Sequence, residues 1–136
     1  MKTDYKIRPR IAYITIAASD LQKSFKFYKD GLGFTTNGIK KGPKEHALFN
    51  LGNGLNLVLC EKKHFTNSEG LSGPGIQTTG IIISHFAGSK EEVDGIVQKA
   101  IKAGARQIGK VLDEPWWYAI NFADPDGYQW EIIWEA

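Results

Sequence analysis

The chain has 136 residues, 42% of them apolar and 24% charged, with a formal net charge of +2. That length suits one domain or two small fused modules around a real core, and so small a charge argues against nucleic acid as a partner, the basic start (Lys2, Lys6, Arg8, Arg10) reading as a solvated arm. No run approaches the ~18 apolar residues of a membrane helix, no apolar segment follows the basic start as in a signal peptide, and a single cysteine, Cys60, cannot form an internal disulfide, so the cytoplasm is the expected compartment and no membrane partner is expected.

Along the chain, "RIAYITIAA" alternates, placing Ile14 and Ile16 on one face of a strand and Tyr13 and Thr15 on the other. "SDLQ" then reads as a capping box with Ser19 as N-cap and Gln22 reaching back. Leu21, Phe25, Tyr28 and Leu32 follow at helical spacing, predicting a helix near Asp20–Lys29 that lays one apolar stripe on a sheet. Gly31 and Gly33 end it, since glycine accepts the left-handed conformation of a helix stop. Three strands are predicted next, near Phe34–Ile39, Glu45–Leu51 and Leu55–Glu61. Lys62–Gln77, polar and rich in Gly, Ser and Pro, reads as a connector.

After the connector the order repeats. Gly80–Phe86 is a β-branched strand, and Ser89 with Glu92 makes a second capping box. Val93, Ile96, Val97, Ala100 and Ile101 form the stripe of a helix over Lys90–Ala103, stopped by Gly104. Strands near Arg106–Leu112, Trp117–Ala123 and Tyr128–Trp134 complete the set. The residues repeat too: "FNLGNGLNLVL" from Phe49 overlays "FADPDGYQWEI" from Phe122 at an offset of 73. Asn53-Gly54 then meets Asp126-Gly127, both hairpin dipeptides whose central residues tolerate positive φ. The fold class is therefore α+β, one domain of two βαβββ modules (residues 8–61 and 78–136, connector 62–77). A helix covers one face of each curved sheet and the other face is left open, so that two such faces close into a cup.

At this point the residues resemble a known family. "ITIAASDLQKSFKFYKDGLGF" and "FADPDGYQWEIIW" are similar to the two signatures of the vicinal-oxygen-chelate superfamily, which includes glyoxalase I, bleomycin-resistance proteins and extradiol dioxygenases. The resemblance covers nearly the whole chain and implies the glyoxalase/bleomycin resistance/dioxygenase fold, with curved sheets closing into open, barrel-like cups. It also implies a homodimer, because modules of two chains commonly pair to complete the cups. In metal-using members four strands each give one ligand to a divalent ion. Carried over residue by residue, Glu131 stands at the last of these positions. The others fall on Val58, on Tyr13, and on Ile82 or Ile83 depending on register, with His85 reaching the cup under only one of the registers. One carboxylate and a phenol fall short of the three or four donors a catalytic ion needs, so no metal and no other cofactor is expected.

On the last strand Tyr128, Trp130 and Ile132 should face the helix layer, as Leu55, Leu57 and Leu59 do in the repeat. Glu131 then points into the cup with Gln129 and Ile133, near Tyr13, Thr15, Asn56 and Val58, with Trp116 and Trp117 at the rim; Tyr13 or Gln129 can donate a hydrogen bond to it, Tyr13 being the nearest candidate from the first ligand position that the resemblance implies. A largely apolar cavity with a few convergent polar groups is the usual form of a small-molecule site. Cys60 shares the face of Asn56 and Val58 but has no base assigned to it and reads as an inert thiol; His46 and His64 read as surface residues. The leading expectation is a metal-free protein that binds a small aromatic or amphipathic ligand, as bleomycin-resistance proteins do. The alternative is a glyoxalase-like lyase or isomerase acting next to a carbonyl, with Glu131 as general base or metal ligand. A dimerisation module without a ligand would give no reason for a carboxylate in the cup.

Overall fold

A computed structural model describes residue 9 and residues 11–63 and 81–136. The elements run β1 (Tyr13–Ala18), α1 (Leu21–Lys26) continuing as a π-helical turn (Phe27–Gly31), β2 (Thr35–Lys40), β3 (His46–Asn50) and β4 (Asn56–Glu61). They resume with β5 (Ile82–Phe86), α2 (Lys90–Lys102), β6 (Arg106–Glu114), β7 (Trp117–Ala123) and β8 (Gln129–Glu135). The order βαβββ thus occurs twice. Most of the expected connector, with His64 and the glycines of "GLSGPG", lies outside the described residues. Among the described residues no helix is long and apolar enough to cross a membrane.

Each unit forms its own four-stranded sheet, in the orders β1-β4-β3-β2 and β5-β8-β7-β6. The first strand pairs parallel with the last and the other pairs are antiparallel. The sheets are open, with β1 and β2, or β5 and β6, as edges. A register shift interrupts β2–β3 between Thr36 and Ile39 and β6–β7 between Ile108 and Leu112. At each shift sits a glycine of positive φ, Gly38 and Gly109. Such irregularities bend a strand and raise its twist, which curves both sheets in the same place.

The helix-facing sides of both sheets share one core. Ile16, Leu57, Leu59, Ala47 and Phe49 of the first meet Ile120, Phe122, Trp130 and Ile132 of the second, with Phe27 and Tyr28 between them. Two residues adjacent in sequence are both buried because the helix widens at Phe27. Leu32 N–H donates to Phe27 O at 2.9 Å and Phe34 N–H to Tyr28 O at 3.0 Å, so the expected α-helix to Lys29 becomes a π turn ending at Gly31. Gly33 has the left-handed φ expected of a helix stop. Gly31 does not, and its reason is space: a Cβ there would lie 2.5 Å from Ala103 Cβ at the end of α2.

The first helix is capped by Asp20 rather than Ser19. The Asp20 carboxylate accepts from Lys23 N–H at 3.1 Å, while Ser19 N–H is drawn to Asp126 Oδ1 of the other unit at 2.9 Å. Ser89 caps α2 as expected, accepting from Glu92 N–H at 3.0 Å, and Glu92 in return accepts from Gly88 N–H at 2.9 Å. The hairpin at Asn53-Gly54 has positive φ at both residues, the primed turn its sequence predicts. The Asp126-Gly127 turn differs, since only Gly127 has positive φ. Pro125 sits where a fixed negative φ favours a type I turn, and Gly127 N–H donates to Asp124 O at 2.9 Å.

That turn holds the two units together. Asp124, 4% exposed, accepts through Oδ1 from Asp126 N–H and Tyr128 N–H at 2.9 and 2.8 Å, and through Oδ2 from Tyr28 OH at 2.5 Å. Trp130 Nε1–H donates to the same Tyr28 oxygen at 3.1 Å. Ser24 Oγ donates to Asp126 Oδ2 at 2.6 Å, and Ala17 N–H on the first strand donates to Tyr128 OH at 3.0 Å. Burial pushes the Asp124 carboxyl above its ordinary value despite these bonds. Burial and the facing Asp124 carboxylate push the Tyr28 phenol well above its ordinary 10.0.

Tyr28→Phe removes a donor from Asp124 and an acceptor from the Trp130 indole, so it should cost about 2–4 kcal/mol of stability in urea denaturation. The sign of its pH dependence follows from linkage. The unfolded phenol ionises near 10 and the folded one only well above that, so its contribution is complete below 10 and is lost as pH rises above it. The wild type should therefore lose stability more steeply than Tyr28→Phe above pH ~10, as read from melting temperature against pH.

Candidate functional site

With Ile14, Ile16, Leu57 and Leu59 in the core, strand alternation sends Tyr13, Thr15, Asn56, Val58 and Cys60 to the open face of the first sheet. The parallel register sets Tyr13 beside Asn56 and Thr15 beside Val58. These four expected ligand-binding residues therefore share one surface. Tyr13 is 58% exposed on it. His46 stands opposite Cys60 across the β3–β4 ladder, a cross-strand neighbour that sequence spacing did not reveal. Its Nδ1 lies 3.0 Å from Lys44 O, and since a carbonyl only accepts, Nδ1 carries the proton there. Cys60 Sγ is 3.8 Å from Ile16 O.

Glu131 belongs to the open face of the second sheet. Its parallel partner is Ser84 and its antiparallel partner is Asn121. Ser84 Oγ donates to Glu131 Oε1 at 2.8 Å. The donor is thus Ser84 of the same unit, and not Tyr13. Tyr13 is on the other sheet, whose inner face is turned to the shared core. Ser84 occupies the place that Thr15 holds in the first unit, since Thr15 pairs with Val58 as Ser84 pairs with Glu131. That correspondence was the available signal for finding it. Glu131 Oε2 makes no hydrogen bond among the described residues.

Gln129 lies on the same face beside Ile82, and Ile133 beside Phe86. Ile82 and Phe86 are 52% and 63% exposed. Trp117 also shares this face but pairs with Glu135, four residues from the Glu131 row, or ~13 Å along the strand. Trp116 is exposed in the β6–β7 turn, where its carbonyl accepts from Ala136 N–H at 3.0 Å. The tryptophans therefore form the rim of the face and not the surroundings of the carboxylate. The floor is a carboxylate, a hydroxyl and two amides, flanked by aliphatic and aromatic side chains. It can accept a hydrogen bond through Glu131 and offer flat apolar contact around it.

The register also decides the residues left open by sequence. Ile82 is on the open face, whereas Ile83 packs against the core. His85 is on the helix side as well, where it lines a cavity with Phe122, Trp130 and Ile132. The four positions that the family resemblance implies for an ion's ligands are thus occupied by Tyr13, Val58, Ile82 and Glu131. Among the described residues no three His, Cys, Asp or Glu side chains come together. One carboxylate among a hydroxyl, amides and aliphatic chains does not fit a divalent ion, which needs several converging donors.

The sequence profile described as the Glyoxalase/Bleomycin resistance protein/Dioxygenase superfamily matches residues 10–132. Among solved structures, the chain is similar to hypothetical protein SA1046 from S. aureus, at 26% identity over 94% of this chain and 95% of that one, with a TM-score of 0.76. A glyoxalase-related enzyme from Fulvimarina pelagi matches at 22% identity over 94% and 89%, also with a TM-score of 0.76. TnmS3, an antibiotic binding protein from Streptomyces sp. CB03234, matches at 18% identity over 97% and 100%, with a TM-score of 0.66. The last two share the fold.

Solvent reaches both ends of the Ser84–Glu131 bond, so Ser84→Ala should lower stability by less than about 1 kcal/mol in urea denaturation. A loss of several times that would make the pair part of the framework.

Proposed function

The chain belongs to the Glyoxalase/Bleomycin resistance protein/Dioxygenase superfamily, and from that premise we propose that it is a metal-independent binding protein for a small, flat, amphipathic molecule. Its ligand lies on the open face around Glu131. The donor set supports this function: the positions that would complete an ion's shell carry Tyr13, Val58 and Ile82, and only Glu131 retains a metal-binding group. What remains is a carboxylate with one oxygen held by Ser84 and the other free to accept from an amine or hydroxyl of the ligand. Ile82, Phe86 and the rim tryptophans supply apolar contact. The antibiotic-binding TnmS3 shares this fold.

The free Oε2 also favours one second reading, a lyase or isomerase in which Glu131 takes a proton from the carbon next to a carbonyl. Lacking a cation, such a site would leave the enolate oxygen to Ser84, Asn121 and Gln129, which are weaker stabilisers than a metal. Binding without turnover is therefore the preferred function.

We also propose a homodimer in the cytoplasm. Within one chain the first sheet and the second turn their inner faces to a common core, so their open faces cannot close on each other. Tyr13, Ile82, Phe86 and Trp116, each more than half exposed, would be covered if the face of one chain met the complementary face of another.

A native mass spectrum of the purified protein tests these points together. The expected result is a dimer with well under one transition ion per chain and a bound organic mass that is absent from Glu131→Gln, whose melting temperature is unchanged. Near-stoichiometric zinc, nickel or iron that is lost on Glu131→Ala would overturn the metal-free assignment. A monomer at micromolar concentration in sedimentation would overturn the shared cup.

A further inference from the structure

A separate cavity of about 200 Å³ lies on the helix side of the second sheet, where the two units meet. Its walls are aromatic (Phe34, Phe122, Trp130) and aliphatic (Leu32, Ile96, Ile132). Phe122 and Trp130 stack within it at an interplanar angle of 6°. An apolar cavity of about 150 Å³ is enough for benzene, so this one has room for a single aromatic ring with a small substituent.

The lining is not wholly apolar. His85 and Lys99 line it as well, and among the described residues no carboxylate does. Neither side chain has an ion pair or hydrogen bond among the described residues. The Lys99 ammonium is drawn in over the helix stop, 3.7 Å from where a Cβ of Gly33 would stand. Lys99 also borders an adjoining groove between the helices that carries Lys23, Lys26 and Lys102 and, among the described residues, one carboxylate, Asp30. The potential at this end of the cavity is therefore positive, which favours an anion over a cation or a neutral ligand.

We propose that this cavity is a second binding site, distinct from the open face, for a small aromatic carboxylate. The ring lies between Phe34, Ile96 and the Phe122–Trp130 stack, and the carboxylate meets Lys99 and His85 in charge-assisted hydrogen bonds. The site is built from both units: Gly31, Leu32 and Phe34 come from the first and His85, Ile96, Lys99, Phe122, Trp130 and Ile132 from the second. Occupancy would therefore stabilise their junction.

Benzoate and its neutral isostere benzamide distinguish the parts of this proposal on the intact protein. Titration calorimetry gives the affinities, and ¹⁵N-labelled protein gives the location through the Trp130 indole N–H resonance. Benzoate is expected to shift that resonance and bind at least about tenfold more tightly than benzamide. Lys99→Gln should remove the difference between the two compounds while benzamide binding persists. Glu131→Gln should leave benzoate affinity unchanged, which separates this site from the one on the open face. The proposal is overturned if benzoate causes no shift at its solubility limit, if it moves the Trp117 indole N–H in place of that of Trp130, or if Lys99→Gln and His85→Gln both bind it as the wild type does.

Discussion

A carboxylate buried at a turn organises this molecule. Asp124 sits between the last two strands, yet the group it holds most closely, the Tyr28 phenol, is on the first helix. An ionised or polar group removed from water must be matched by fixed donors, and here they come from three places: the turn's own backbone, the first helix and, through Tyr28, the indole of Trp130. None can shift without leaving another unpaired. The bonds from Ser19 and Ser24 to Asp126 and from Ala17 to Tyr128 run alongside. The turn between β7 and β8 thus acts as the clasp between two units that sequence describes as separate repeats. With inner faces committed to each other in this way, both sheets must present their remaining faces outward, and any chemistry of the protein has to be built there or in the seam.

Much of this was legible in the sequence because it depends on periodicity. Alternation along β1, β4 and β8 and the helical stripes of α1 and α2 place residues on faces whatever the partners are, and the 73-residue offset carries one unit onto the other. What could not be read depends on contacts between units. Ser19 has the better capping-box spacing, but Asp20 caps the helix because the Ser19 amide is engaged across the seam. Tyr28 looked like one more apolar stripe residue, and its hydroxyl is what gives Asp124 its donor. His85 was undecided because a one-residue change of register moves it between faces, and only the pairing of Ser84 with Glu131 resolves it. The donor to Glu131 was expected at Tyr13 from the position that the resemblance gives the first ligand; within the chain Ser84 of the neighbouring strand fills that role.

The two candidate sites share a physical design while differing in charge. On the open face one carboxylate, Glu131, half satisfied by Ser84, is set beside apolar side chains. In the seam two basic side chains are set at the edge of an aromatic cavity. Each is a small polar element on a mainly apolar surface, the arrangement that orients a ligand by one or two strong contacts and holds it by area. Glu131 and Lys99 are on opposite sides of the same sheet, so a molecule suited to one is disfavoured by the other's sign. The fold supplies the surfaces, and single residues on them set which charge is welcome.

The paired hairpins occupy equivalent places in the repeat, but only the second is bonded to the other unit among the described residues. At the place matching Asp124 by the repeat offset, the first hairpin has Leu51, and its Asn53-Gly54 turn touches nothing beyond its own strands within the bonds described. That turn is free to drift: insertions, charges and altered loop lengths there leave the seam as it was. The second has lost that liberty, since each of Asp124, Asp126 and Tyr128 answers to a group in the other half. Two units alike in pattern thus differ in constraint: the turn of one is fixed by its neighbour, and its counterpart is not.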